Sequence, residues 1–230
     1  MSRARVGVIV QARMSSTRRP GKVLHPVGGV PVLGHLLARL RRCRDVDQLC
    51  IATSDRPGDD AIAELATREG VQLFRGSLDD VAGRYLAAAE RGGLDGFVRV
   101  TGDSPLLDPA LVDRAVAYFR GGSADLVTNV AVRTFPRGQS VEVVDVATYR
   151  EHYRRMHDPA DLEHVTRALY ARVHELRTVS FTSGMPWGDI QLSVDTPDDV
   201  AMFEAIVARM SRPPDTYGLA EVLELHAAVT

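Results

Sequence analysis

Short apolar runs and amphipathic stretches alternate along most of the chain. Positions 6–10 read Val-Gly-Val-Ile-Val, the pattern of a strand buried on both faces. Val32, Leu33, Leu36, Leu37 and Leu40 form one helical stripe behind Pro31, which suits a first helical position, so a helix is predicted over 31–43. The rhythm repeats with a strand at 49–53, a helix at 59–68 closed by Gly70, a strand at 71–74 and a helix at 79–90 before Gly92 and Gly93. A fourth strand at 97–101 leads through "GDSPLLDP" into a helix over 110–119.

The second half keeps the elements but loses the strict alternation. Strands are predicted at 125–129 and 140–144 around the loop "VAVRTFPRG", then a helix near 162–171. Further strands are expected at 177–181 and 190–194, and helices at 197–210 and 219–227. Strands interleaved with helices predict an α/β fold with a mainly parallel sheet covered on both faces. No repeat, low-complexity tract or linker divides the 230 residues, so one domain is expected.

Composition narrows the partners. The hydrophobic fraction of 45% and charged fraction of 25% are those of an ordinary globular chain. A formal net charge of −2 supplies no basic field, so neither nucleic acid nor a membrane surface is expected as a partner. The run at 6–10 is too short for a signal peptide and no stretch approaches a membrane span, which leads to an expectation of a cytoplasmic protein. Cys43 and Cys50 form no CxxC motif and the histidines form no HExxH pair, so zinc is not expected. Arg39, Arg41, Arg42 and Arg44 read as a solvated helix face. Of the 28 lysines and arginines, Lys22 is the only lysine.

That lysine ends the segment "QARMSSTRRPGK", which follows the first strand at its C-terminal edge, where open α/β sheets bind ligands. Arg13, Arg18, Arg19 and Lys22 alternate with Ser15, Ser16 and Thr17, a combination of cations and hydroxyls that suits a polyphosphate. It is not a Walker A loop, because Ser16 and Val23 stand where that motif needs Gly and Ser or Thr.

The stretch "IVQARMSSTRRPGKVLHPVGGVPVLGHLL" resembles the cytidylyltransferases that activate acidic sugars, above all the spore coat polysaccharide biosynthesis type and, more distantly, the 3-deoxy-manno-octulosonate and acylneuraminate synthetases. The likeness continues in order through "ATSDRPGDD", "FRGSLDDVAGRY", "VRVTGDSPLLDP", "FPRGQSVEV", "EHVT" and "LSVDTPDDV". Arg19 departs from the pattern, since the family usually has Leu before Pro-Gly-Lys. The resemblance implies a Rossmann-like three-layer α/β/α sandwich of the nucleotide-diphospho-sugar transferase type. It further implies CMP transfer from CTP to an anionic hydroxyl acceptor with release of pyrophosphate, in a homodimer. Ala12, Arg13, Ser15, Arg18 and Lys22 would hold the triphosphate, with Arg75 and Ser77 near base and ribose. A lysine ammonium is a compact point charge that can follow a phosphoryl oxygen where a guanidinium is a wide fork, which gives one reason for a lone lysine at position 22.

Nucleotidyl transfer calls for Mg²⁺, which takes one or two carboxylates plus phosphates and water. Asp103 and Asp195 each follow a predicted strand and should reach the same sheet edge. Neither is needed as a helix cap: Asp108 precedes Pro109 at one helix start, and Thr196, Pro197 and Asp199 form a capping pattern at the other. The resemblance assigns the metal to the same two aspartates. It places Arg133, Arg137, Glu142, His164 and Tyr170 toward the acceptor, although Glu142 reads equally as half of an ion pair and Ser77 as a helix cap with Asp80. An exposed His and a half-buried Tyr would account for His164 and Tyr170 as well. A glycosyltransferase on a similar fold would need a DxD motif, and Gly102-Asp103-Ser104 stands in its place. A non-catalytic nucleotide-binding protein would need a lost phosphate or metal residue, and none is lost.

Overall fold

The computed structural model describes residues 3–16 and 18–230. Val6–Gln11 forms strand β1 in the middle of a seven-stranded sheet. A two-residue hairpin of β2 (Pro26–Val27) and β3 (Val30–Pro31) leads into helix α1 (Val32–Leu40), with Pro31 at its N-cap. Next come β4 (Gln48–Ser54), α2 (Asp60–Arg68), β5 (Gln72–Gly76), α3 (Val81–Arg91), β6 (Gly96–Thr101) and α4 (Pro109–Gly121). The remaining elements are β7 (Leu126–Thr128), β8 (Glu142–Asp145), α5 (Val146–Tyr153), α6 (Pro159–Glu163), α7 (Arg167–Ala171), β9 (Thr178–Ser180), α8 (Pro197–Ala208) and α9 (Leu219–Ala227).

The strand order is β5-β4-β1-β6-β8-β7-β9. β1 pairs in parallel with β4 and β6, and β4 with β5, while β8 runs antiparallel to both β6 and β7. The chain leaves β1 toward β4 and β5 and returns to the other side of β1 as β6, so the topological switch lies between β1 and β6. Ligands of open α/β sheets bind outside the strand ends at such a switch. Here Gln11 and Thr101 are paired residues at the two C-terminal ends.

Alternation along β1 divides the core between the two faces of the sheet. Val6, Val8 and Val10 pack with the leucines of α1 and with α2, α4, α8 and α9. Ile9 packs on the other face with Ala52, Phe97, α3, α5 and α7.

Several sequence expectations need correction. Residues 190–194 do not form a strand: Gln191 makes an isolated bridge with Arg137, outside the seven-stranded sheet. The helix expected over 162–171 is two short helices, because Val165 adopts φ 37, a left-handed conformation that no α-helix tolerates. The helix α5 is an addition; Asp145 caps it by accepting the Thr148 amide at 2.7 Å. Arg39 is not on a solvated face. It is buried, and its Nε, Nη1 and Nη2 donate to the carbonyls of Leu107, Pro214 and Tyr217, tying α1 to the C-terminal region. Ser77 does not cap α3 either; Asp80 does, accepting the Gly83 amide at 2.7 Å. No helix among the described residues is long and apolar enough to cross a membrane.

Candidate active site

The loop after β1 is drawn into a closed turn by backbone bonds. The Gly21 amide donates to the Met14 carbonyl at 2.9 Å, and the Met14 amide donates to Asp59 Oδ1 at 2.7 Å. Asp59 is buried, and its other oxygen accepts from the Ser54 amide and hydroxyl at the end of β4. Gly21 has φ 74, a conformation that glycine adopts without cost, and it opens the short 3₁₀ turn Lys22–Leu24. The result turns Lys22 inward, and its side chain is only 8% exposed.

The Lys22 ammonium lies 2.6 Å from Asp103 Oδ2 and 2.6 Å from Asp195 Oδ1. Asp103 projects from the loop after β6. The preceding Gly102 passes so close to β1 that a Cβ there would lie 3.1 Å from both the Ala12 Cβ and the Gln11 carbonyl. Asp195 sits immediately before α8, whose capping box is made by Thr196 and Asp199, leaving the Asp195 carboxylate for the site. The Val194 amide donates to the Asp103 carbonyl at 2.8 Å and fastens the two carboxylate-bearing segments together. Arg18 Nη2 reaches the same Asp195 oxygen at 2.9 Å.

Two cavities meet at this junction. The smaller, about 160 Å³, is lined by Ala12, Arg13, Ser16, Arg18, Lys22 and Asp103. The larger, about 580 Å³, is lined by Arg99, Asp103, Ser104, Arg133, Arg137 and Asp195 among others. Arg18, Thr101 and Asp103 belong to both. Asp103 and Asp195 offer only oxygen donors, and the Lys22 ammonium stands at hydrogen-bond distance from both, a cation already at the point where they converge. That donor set fits a hard dication that completes its shell with phosphate oxygens and water. Among the described residues no three His, Cys, Asp or Glu side chains gather at one point that could hold a metal.

The structure thus brings together Ala12, Arg13, Arg18, Lys22, Asp103, Asp195, Arg133 and Arg137 around the two cavities. Ser15 is exposed and lines neither, while its neighbour Ser16 does. Arg13 also pairs with Glu163 at the end of α6, at 2.8 Å. Arg75 and Ser77 lie at the β5 end of the sheet, away from both cavity linings. Arg75 donates to the Ser54 and Arg56 carbonyls at 2.9 Å and pairs with Asp60, and Ser77 Oγ accepts the Asp79 and Asp80 amides. Glu142 is buried against Arg99 at 2.6 Å. His164 is exposed where α6 ends, and the Tyr170 hydroxyl is 2.6 Å from Thr128 Oγ1. None of these last three lines either cavity. Sequence reasoning missed Asp59 and Arg99. An arginine amid the apolar alternation of "FVRVT" was the available signal for the second.

A switch-point crevice with a basic loop on one strand end and carboxylates converging beside it defines an enzyme of the nucleotidyltransferase class. The chain belongs to the cytidylyltransferase family, whose model matches residues 7–206. It is 34% identical over 217 residues to the spore coat polysaccharide biosynthesis protein SpsF of Bacillus subtilis, covering 90% of this chain and 88% of that protein. It is 32% identical to the 3-deoxy-manno-octulosonate cytidylyltransferase of Geobacter sulfurreducens, over 95% of this chain and 84% of that one. Among solved structures, a cytidylyltransferase from Leptospira borgpetersenii superposes with a TM-score of 0.93 at 28% identity, covering 98% of this chain and 95% of that one. The fold is shared with a CMP:2-keto-3-deoxy-manno-octonic acid synthetase complexed with CTP, at a TM-score of 0.67 and 17% identity, over 90% of this chain and 99% of that one.

Proposed function

We propose that the protein transfers CMP from CTP to a hydroxyl of an anionic, sugar-like acid and releases pyrophosphate, with Mg²⁺ held by Asp103 and Asp195. The observation that carries this reading is the Lys22–Asp103–Asp195 junction standing between a small basic cavity and a larger one rimmed by arginines. The small cavity suits a triphosphate: Arg13, Arg18 and Lys22 supply charge, and the loop backbone is held in place by Asp59. The larger cavity suits the acceptor, with Arg133 and Arg137 at its rim. The cytosine choice and the acidic class of acceptor are supported by the activity of the 3-deoxy-manno-octulosonate relative.

The acceptor hydroxyl gives up its proton to water as its oxygen bonds to the α-phosphorus, while the bond from that phosphorus to the bridging oxygen breaks and pyrophosphate departs with that oxygen. The chain's own part is positioning and charge. Arg18 and Lys22 neutralise the departing phosphates, and Lys22 exchanges its carboxylate partners for phosphoryl oxygens. Asp103 and Asp195 would then hold the dication, which would supply neutralisation of charge on the reacting phosphates. Asp103 belongs to both cavities, so it stands where nucleotide and acceptor meet.

A pyrophosphate-release assay crossing the four nucleoside triphosphates with a panel of 2-keto sugar acids tests the reading. Release with CTP and at least one acid supports it. Equal release with all four nucleotides, or none with any acid, rejects it.

A further inference from the structure

We propose that Arg99, at the floor of the larger cavity, anchors the carboxylate of the acceptor, and that Glu142 is a positioning residue that aims it. The inference rests on the acceptor reading above and adds to it the residue that holds the acid and the one that aims it.

Position gives the first argument. Arg99 and Thr101 lie two apart on β6 and so face the same side, about 6.6 Å apart along the strand, and both line the larger cavity. Asp103 follows two residues after Thr101, in the loop that carries the Lys22 junction. A group bound by Arg99 is therefore near the reacting hydroxyl, whereas Arg133 and Arg137 are exposed on the rim loop.

Arg99 is held from one side only. Glu142 is its cross-strand partner on β8, and Arg99 Nη1 donates to Glu142 Oε2 at 2.6 Å. Glu142 is 2% exposed. Arg99 Nε and Glu142 Oε1 are buried without a hydrogen-bond partner, and Arg99 Nη2 makes no hydrogen bond among the described residues. A buried ion pair is a poor source of stability, because apolar side chains often do as well, and unsatisfied buried atoms add to the cost. As an aiming device the same pair makes sense. A guanidinium presents its N–H donors as a rigid fork, so Glu142 can hold one arm while the other stays available to a ligand carboxylate. Thr128 stands opposite Glu142 on β7 and its hydroxyl meets that of Tyr170, closing the row behind the pair. Burial, reinforced by the Glu142 charge, pushes the Tyr170 hydroxyl well above its usual range, so it remains neutral. Glu142 and Tyr170 thus act from behind Arg99 and do not face the acceptor themselves.

The test uses the double variant Arg99→Met/Glu142→Gln, because Arg99→Met alone would leave a buried carboxylate without a counter-charge and lower the melting temperature. The double variant should melt close to wild type and bind CTP with wild-type affinity. Calorimetry without nucleotide then compares 3-deoxy-manno-octulosonate and N-acetylneuraminate with their methyl esters. Wild type should favour one acid over its ester, and the double variant should bind that acid roughly 10- to 100-fold more weakly and no better than the ester. Glu142→Gln alone should raise the acid KM while leaving kcat within a few-fold. A double variant that keeps the preference for the acid overturns the assignment, as does a wild type with no such preference. Because binding is read without nucleotide, a failure of CMP transfer rejects the proposed function while the role of Arg99 is still measured. Conversely, wild-type turnover with an acid at equal KM in the double variant removes only Arg99.

Discussion

Lys22 and Asp195 are 173 positions apart in the chain and 2.6 Å apart in the fold. The same ammonium holds Asp103 at 2.6 Å, so one buried cation joins two carboxylates from different loops. Removing one partner of a buried pair normally strands a charge. Here the arrangement is redundant: loss of either aspartate leaves Lys22 paired with the other.

That redundancy separates stability from activity. Asp103→Asn and Asp195→Asn should each fold with a melting temperature near wild type, since Asp108 and Thr196, not these residues, cap α4 and α8. Each should lose on the order of 100-fold or more in turnover, the scale seen when one group stabilising a transition-state charge is removed. Near-wild-type turnover at low Mg²⁺ in either variant would remove that aspartate from the site.

Lys22 itself can be tested for shape and charge separately. In a buried position the wider guanidinium of Lys22→Arg should cost about 1–3 kcal/mol of stability. It should also lower single-turnover CMP transfer by about 100-fold at saturating CTP, because a displacement of about 1 Å from in-line geometry has that effect. Lys22→Met should do something different. With the ammonium gone, Asp103 and Asp195 should take Mn²⁺ more tightly in the absence of nucleotide, read by electron paramagnetic resonance. Unchanged Mn²⁺ affinity would mean that the ammonium and the cation do not share a position.

Local signals in the sequence carried much of this architecture. Pro197 and Asp199 following Thr196 announced a capping box that the structure contains. The apolar run of β1, followed by a basic loop, marked a strand end suited to a ligand. What was illegible depends on partners far away in the chain. The helix expected over 162–171 is interrupted by Val165, a β-branched residue with no turn signature. Residues 190–194 have strand-like composition, but Gly138, at φ 91, comes so close that a Cβ there would lie 2.7 Å from the Ser193 amide nitrogen, and a single bridge stands in place of a ladder. At the site, Glu142 was visible as a carboxylate, whereas its being buried against Arg99, 43 residues earlier, required the β6–β8 register.

Asp59 makes a prediction that the phosphate loop alone would not. It is buried and accepts the Met14 amide together with two donors of Ser54, so Asp59→Ala leaves donors unpaired and frees the loop from β4. A loss of about 1–3 kcal/mol of stability is expected. The CTP KM should rise more than the acceptor KM, because the loop lines the smaller cavity. Asp59→Asn, which retains one acceptor oxygen, should recover part of both. A variant with altered stability and unchanged CTP KM would make Asp59 a purely structural residue.

Arg137 offers a contrast with the cavity floor. It is exposed on the rim of the larger cavity, and neither it nor Arg133 pairs with a carboxylate among the described residues. Exposed charges act through attraction over distances of about 10 Å at 0.1 M salt and are screened beyond that. Such a charge chiefly speeds encounter with an oppositely charged ligand. Arg137→Ala should therefore raise the acceptor KM by a few-fold at low ionic strength, and the defect should shrink as salt is added. CTP binding should change little. An anchor buried at Arg99 would behave otherwise, since a pair shielded from solvent is screened much less. Measuring acceptor KM between 0.02 and 0.5 M salt (about 20 to 4 Å of screening length) distinguishes the two roles. A salt-independent loss at Arg137 would move the anchor to the rim, and equal damage to CTP and acceptor would remove Arg137 from the acceptor side altogether.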